Sequence, residues 1–249
     1  MTPPAGREPA GAGAVAHVFV GALDDDVVVT GTDGHHLQRV RRLAAGEIVT
    51  AADGTGAWRR YEVGEAAKGS VTLVALDPVE HAPLLPVGVA LAVALTKGGL
   101  DDVVAAVTEL GAVRVIPVRT ARTVVRWDAA RARRAVDRLR VVAREAAMQS
   151  RRARVPAVDD VTELATVAAR PDLVVADREG SAAAALPRPT SPGEWTVIVG
   201  PEGGLAPEEL VALGTRPRLA LGPHVLRAAT APLAAVAVLV GETSRLLQE

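Results

Sequence analysis

Hydrophobic and polar positions follow two different rhythms along this chain. Residues 17–20, 27–30, 48–51, 57–63 and 71–76 are short apolar or alternating runs, each bounded by Gly or Asp, the pattern of brief half-buried strands. Asp53-Gly54 lies between two of them and reads as a hairpin turn, because both residues tolerate positive φ. Short strands at this spacing predict a small β-barrel. One helical segment interrupts them at residues 34–43, where Leu37, Val40 and Leu43 recur at helical spacing and Arg39, Arg41 and Arg42 fall on other faces. Residues 1–15 are rich in Pro, Gly and Ala. They predict a disordered tail and lack the basic and apolar regions of a signal peptide.

Residues 77–86 contain Pro78, Pro83 and Pro86 and form the natural break. The predicted organisation is a tail at 1–15, a barrel at 16–80, a linker at 81–86 and a second domain at 87–249. Beyond the break, strands alternate with helices. Residues 87–95 are almost continuously apolar, as in a strand buried on both faces. Leu100, Val103, Val104, Val107 and Leu110 form a helical stripe stopped by Gly111. A strand follows at 113–118, then a long helix capped by Asp128 and running to about Met148. Further strands are predicted at 173–176, 197–199 and 219–221, and a last helix from Pro232 towards Leu247. The fold class is α/β, with a mostly parallel sheet covered by helices on both faces.

Composition narrows the chemistry. The 249 residues allow one large or two modest domains, and with one Phe, one Tyr and three Trp the core must be Val, Leu and Ala. There is no Cys, which excludes disulfides, cysteine-ligated metals and cysteine nucleophiles. The longest apolar stretch, residues 228–240, has 13 residues against the roughly 20 needed to span a bilayer. The expected location is the cytoplasm, with no membrane partner.

Residues 196–230 concentrate the candidate chemistry. Here two strand-then-loop units follow one another: Val199-Gly200-Pro201-Glu202-Gly203-Gly204, then Leu219 to Leu221 with Gly222-Pro223, Leu226 and Arg227. Ligands bind at the carboxyl ends of strands in open α/β sheets. Glu202, Glu208 and Glu209 would repel a polyphosphate, and neither P-loop nor G-x-G-x-x-G spacing is present. The loop is therefore either a plain strand-to-helix turn or a cradle for a neutral or cationic ligand. Lys97, beside Gly98-Gly99, is either a loop charge or a group on the same face.

The net charge of −1 conceals a basic band. Residues 114–154 hold thirteen Arg against Asp128, Asp137 and Glu145, so 13 − 3 gives +10. Guanidinium groups in such a band suit phosphate backbones; the other reading is a solvated helix inflated by an Arg-rich codon bias. His35-His36 has no further ligand at metal spacing, so no metal is expected.

Taken in order, these pieces resemble the RsmE family, the uracil-N3 methyltransferases of small-subunit ribosomal RNA in the SPOUT class. The resemblance rests on His36-Leu37-x-x-Val40-x-Arg42-Leu43, Gly46-Glu47, Asp53-Gly54, Leu95-Thr96-Lys97 and Gln149-Ser150-x-Arg152-x-Arg154-Val155-Pro156. It continues through Ile198-Val199-Gly200-Pro201-Glu202-Gly203-Gly204 and Leu221-Gly222-x-x-Val225-Leu226-Arg227. It implies a PUA-like RNA-binding barrel, a SPOUT domain with a C-terminal trefoil knot, a homodimer, and S-adenosylmethionine as methyl donor to 16S rRNA or an assembled small subunit. By the same resemblance the cofactor lies against Val199, Gly200, Pro201, Glu202, Gly203, Gly204, Leu219, Leu221, Gly222 and Leu226. His36, Arg39, Arg41, Arg42, Lys97, Gln149, Arg152 and Arg154 would contact RNA.

The chain also departs from the family. Ala229 stands where many members carry Glu, His224 where many carry Arg, and His17 where the first strand often begins with Arg. With no carboxylate at 229, Arg227 becomes the candidate catalytic residue, a cation placed to stabilise a deprotonated uracil. A uracil N3 edge must be unpaired or flipped to be reached. Two other functions remain compatible: ribose 2′-O-methylation, and a non-catalytic RNA-binding role in ribosome assembly.

Overall fold

A computed structural model describes residues 8–39, 43–67, 69–125, 127–189 and 193–246. The chain divides into two compact units. The first comprises residues 1–84 and 147–155, the second residues 85–146 and 156–249. The break after Leu84 falls inside the predicted linker. The return of residues 147–155 to the first unit was not predicted, since a linear reading offers only one proline-rich boundary.

The first unit contains β1 (Ala16–Phe19), β2 (Asp26–Val29), α1 (Gly31–Arg39), β3 (Ile48–Ala52), β4 (Ala57–Ala67), β5 (Ser70–Ala75) and β6 (Glu80–His81). They form a six-stranded sheet in the order β1-β3-β4-β5-β2, with β6 on β4. Only the β1–β3 pairing is parallel. Val18, Val49, Tyr61, Val63, Val71 and Leu73 fill its interior, where α1 contributes Leu37. Residues 8–15, part of the predicted disordered tail, are ordered, and residues 1–7 lie outside the described residues. Residues Pro9–Gly11 make a 3-10 turn, Ala12 and Ala14 are buried, and the Val15 N–H donates to the Ile48 carbonyl at 2.8 Å. The Asp53-Gly54 turn forms, with Gly54 at φ +81°. Burial opposes the Asp53 charge, but the Thr55 hydroxyl and the N–H groups of Thr55, Ala57 and Gly56 hold its carboxyl below the usual range.

Residues 147–155 are stitched into this unit by apolar and polar contacts. Ala147, Ala153, Met148 and Val155 pack with Phe19, Ala52, Trp58 and Ala82. The Arg154 guanidinium donates to the carbonyls of Thr55 and Ala82 and lies on Gly56, where a Cβ would come within 2.2 Å of its Cζ. His17, 5% exposed, bonds through Nδ1 to the Thr50 hydroxyl at 2.8 Å and through Nε2 to the Arg152 carbonyl at 3.1 Å. A carbonyl can only accept, so Nε2 carries the proton and Nδ1 accepts from Thr50.

The second unit contains β7 (Val87–Ala94), α2 (Leu100–Glu109), β8 (Arg114–Arg119), α3 (Ala129–Gln149, whose last turn belongs to the first unit), β9 (Ala157–Val158), β10 (Thr162–Glu163) and α4 (Leu164–Ala168). Then come β11 (Leu173–Ser181), β12 (Gly193–Val199), α5 (Pro207–Leu213), β13 (Arg218–Leu219) and α6 (Ala231–Leu246). The sheet order is β10-β8-β7-β12-β11-β13, with β9 on β8, and every pairing is parallel. Alternate residues face opposite cores, as strand geometry requires. Val89, Leu91, Val93, Val115, Val197 and Val199 meet Val103, Val104 and Val107 of α2, Leu139 of α3 and Val236 and Leu239 of α6. Ala92, Ile116, Val118 and Ile198 meet α4 and Leu213 of α5 on the other face. Burying each such Val, Leu or Ile contributes roughly 1.5–3 kcal/mol. The helical stripe at 100–110 and the Asp128 cap form as predicted; the Arg131 N–H donates to Asp128 Oδ1 at 2.7 Å. β9, β10 and α4 were not predicted, because elements of two to five residues are too short to show a period.

Candidate functional site

A parallel sheet gathers all its strand-to-helix loops at one edge. Strand order reverses between β7 and β12, because β8 lies on the far side of β7 while β12 pairs with it from Gly193↔Val87 to Val199↔Val93. The loops after these two strands therefore flank a topological switch point, the usual ligand crevice of such sheets. One is residues 95–99, with Lys97 exposed; the other is residues 200–206.

The glycine loop is built for backbone contacts. The Gly204 N–H donates to the Pro201 carbonyl at 2.8 Å, which closes the turn, and Gly204 takes φ +69°. Pro201 is buried, whereas Glu202, Gly203 and Gly204 are exposed. The N–H groups of Gly200, Glu202 and Gly203 have no hydrogen-bond partner among the described residues. They remain available to a ligand's acceptors.

The acidic helix start plays another part than sequence reading gave it. Glu209 is 8% exposed, and its carboxylate accepts the N–H of Ala206 at 2.8 Å and the N–H of Ala121 at 2.7 Å. It caps α5 and at the same time ties down the loop after β8. From that loop Arg122 Nη1 donates to the Gly203 carbonyl at 2.7 Å. The loops after β8 and β12 are thus braced together. Sequence reading missed Arg122 because it was one Arg among thirteen, and no local period singles it out.

The second strand-loop unit is anchored differently. Val199 and Leu219 are buried, so only their main-chain groups face the loops. Leu221 and Leu226 are half-buried, and Gly222 adopts φ +135° with open space where a Cβ would stand. The Arg227 carbonyl accepts the N–H groups of Thr230 and Ala231, each at 2.9 Å, and so starts α6. Its guanidinium is exposed and unpaired among the described residues.

β11 holds this unit through an excursion that the sequence did not reveal. Both Ala176 and Ser181 pair with Leu219, so residues 177–180 loop out around β13. The Asp177 carboxylate accepts the Glu179 N–H and pairs with Arg218, and together these hold it below the usual carboxylate range. Gly180 touches the β13 backbone: a Cβ there would lie 2.6 Å from the carbonyl carbons of Arg218 and Leu219. Gly180→Ala is therefore expected to lower stability in urea denaturation by roughly 1–3 kcal/mol, the range for overpacking. Ser181→Ala, at an exposed side chain, is the matched control and should leave the midpoint unchanged.

The residues expected to contact RNA divide three ways. Arg41 and Arg42, and the side chains of His36 and Arg39, lie outside the described residues. Lys97 is exposed at the carboxyl edge, and Gln149 is exposed at the end of α3. Arg152 and Arg154 lie in the segment that completes the first unit. Burial pushes the Arg152 guanidinium down despite the opposing charge of Glu8, and that of Arg154 is engaged by two carbonyls. Among the described residues no group of three acidic or His side chains could hold a metal. No helix among them is long and apolar enough to cross a membrane.

Comparison with known proteins covers both units. An RNA methyltransferase domain family matches residues 83–240, and an RNA methyltransferase PUA domain family matches residues 29–76. The ribosomal RNA small subunit methyltransferase E of Mycobacterium bovis is 36% identical over 241 residues, covering 91% of this chain and 92% of that protein. Its namesake in Bacillus subtilis is 33% identical, covering 88% and 91%. The crystal structure of the Neisseria gonorrhoeae enzyme of that name, bound to S-adenosyl methionine, superposes with a TM-score of 0.80 at 23% identity. It covers 91% of this chain and 97% of that one.

Proposed function

The chain belongs to the ribosomal RNA small subunit methyltransferase E family, and from that premise we propose that it transfers a methyl group from S-adenosylmethionine to N3 of one uridine in small-subunit (16S) ribosomal RNA. The observation that carries the reading is the braced glycine loop at the switch point, with free N–H groups at Gly200, Glu202 and Gly203. The cofactor supplies an electrophilic methyl on a sulfonium. These N–H groups and the main chain of residues 219–226 would hold its adenine, ribose and carboxylate, and Glu202 is compatible with its positive charge. Arg227 would stabilise the uracil anion formed when N3 gives up its proton, and Lys97 stands at the same edge to meet RNA phosphate. Much of the rate would come from holding acceptor and donor in line. The proposal includes a homodimer acting in the cytoplasm, the trefoil knot at the C-terminal end, and RNA contacts from His36, Arg39, Arg41, Arg42 and Gln149, whereas Arg152 and Arg154 would act by holding their segment in the first unit.

Mass spectrometry of small-subunit rRNA nucleosides with and without the gene tests this. Loss of 3-methyluridine is the expected result. Loss of a 2′-O-methyl nucleoside with 3-methyluridine intact would move the reaction to the ribose. An unchanged nucleoside profile, together with no S-adenosylmethionine binding by calorimetry, would leave a non-catalytic assembly role, the reading that Ala229 favours.

A further inference from the structure

The basic band is not one surface, and the fold has already committed most of its charges. Arg114 pairs with Asp159 at 2.8 Å and with Glu194 at 3.4 Å. Arg119 pairs with Glu163 at 2.5 Å, Arg138 with Asp101, and Arg140 with Asp137 and Asp160 at 3.0 Å each. Arg122 holds the Gly203 carbonyl, and Arg154 those of Thr55 and Ala82. Three remain. Arg131, Arg133 and Arg134, in the first two turns of α3, are exposed, and their side chains have no ion pair or hydrogen bond among the described residues.

Their position is unfavourable for folding. Cations at the start of a helix oppose its dipole, and Arg131 and Arg134, three residues apart, repel each other across one turn. The nearby Asp128 carboxylate is already engaged in capping the helix, although it feels the charges of Arg131 and Arg134. Val136, Leu139 and Ala143 bury one arc of the helix, and Arg131, Arg133 and Arg134 are exposed around the rest of it. Charges that break local rules without an internal partner mark sites where function outweighs stability.

Topology puts them beside the chemistry. α3 follows β8, so in a parallel sheet its first turns rise from the same carboxyl edge as the glycine loop. The β8–α3 connection is bonded to that loop through Arg122 and Glu209. We propose that Arg131, Arg133 and Arg134 form a phosphate-binding cluster that grips the RNA backbone flanking the target base. This rests on the rRNA methyltransferase reading and adds to it a docking site on the catalytic domain, separate from the first unit.

The test is RNA binding against salt concentration, with 16S rRNA transcribed in vitro as the probe. Each phosphate contact contributes about 0.7–0.9 to the slope of log K against log salt. The triple variant Arg131→Gln, Arg133→Gln, Arg134→Gln is expected to bind at least about tenfold more weakly at low salt, with a slope shallower by about 2 to 3. Its S-adenosylmethionine affinity should be unchanged and its Tm not lowered. The ion-paired control, Arg138→Gln with Arg140→Gln, should shift the slope by less than about 1. Equal slopes for the triple variant and the natural protein would overturn the cluster while leaving the methyltransferase reading intact. Failure of the natural protein to bind both the RNA and S-adenosylmethionine would overturn that reading, and the cluster with it.

Discussion

Arg227→Ala is expected to slow methyl transfer to 16S rRNA by at least about a hundredfold, the usual loss when one group that stabilises developing charge is removed. S-adenosylmethionine affinity should stay within about tenfold, or about 1.4 kcal/mol. The asymmetry follows from which part of the residue does what. Its carbonyl receives the Thr230 and Ala231 N–H groups at the start of α6, and alanine keeps that carbonyl. The guanidinium is exposed and unpaired among the described residues, so its removal leaves no orphaned partner among them and the proposed cofactor loop should survive. Arg227→Lys should recover part of the rate, since a cation stays near the acceptor without the planar fork. Single-turnover methylation and calorimetry separate the two effects. Normal turnover in the alanine variant would remove Arg227 from the chemistry.

Acid is expected to loosen the first unit through His17. Burial is the largest influence on this imidazole and lowers its pKa; the Arg152 carbonyl raises it, the Arg151 charge lowers it, and the result falls from 6.5 to about 4. The folded state thus prefers neutral His17, and the unfolded chain binds the proton more readily. Stability from this group is complete above pH 6.5 and is lost progressively as pH falls towards 4. The loss at the bottom of that window is about 3 kcal/mol. Protonation also turns Nδ1 from acceptor into donor, so the bond from Thr50 is lost. Urea denaturation between pH 4 and 7 should show this slope in the natural protein and a flatter one in His17→Gln, whose amide can still donate to the Arg152 carbonyl. Identical slopes would mean that His17 does not carry the dependence.

These two residues mark the limits of what a linear reading reaches. Arg227 follows a strand and a Gly-Pro turn, which is local information, and the family resemblance makes it the catalytic candidate. His17 does not stand out locally: its partners Thr50 and Arg152 are 33 and 135 residues away. The α2 stripe, the Asp128 cap and the Asp53-Gly54 turn were legible because each is set by neighbours within a few positions. Gln149, Arg152 and Arg154 read as RNA contacts at the end of a basic band, because in sequence only their charge and polarity are visible. In the fold, Ala147 and Ala153 are buried in the first unit and Arg154 closes over Gly56.

The sequence by itself determined the two rhythms, the α/β class, the glycine loop after β12, and Ala229 near Arg227. Periodicity, turn chemistry and residue identity act over short range, and one chain is enough to display them. Only the tertiary structure decided which charges are occupied and which are free. It turned Glu209 from a repulsive carboxylate into a brace, placed Gly180 against β13, and left Arg131, Arg133 and Arg134 unpaired among the described residues of the band. The reason is physical: a charge is neutralised by whatever the fold brings within about 4 Å of it, and those partners come from strands and helices far away in the chain.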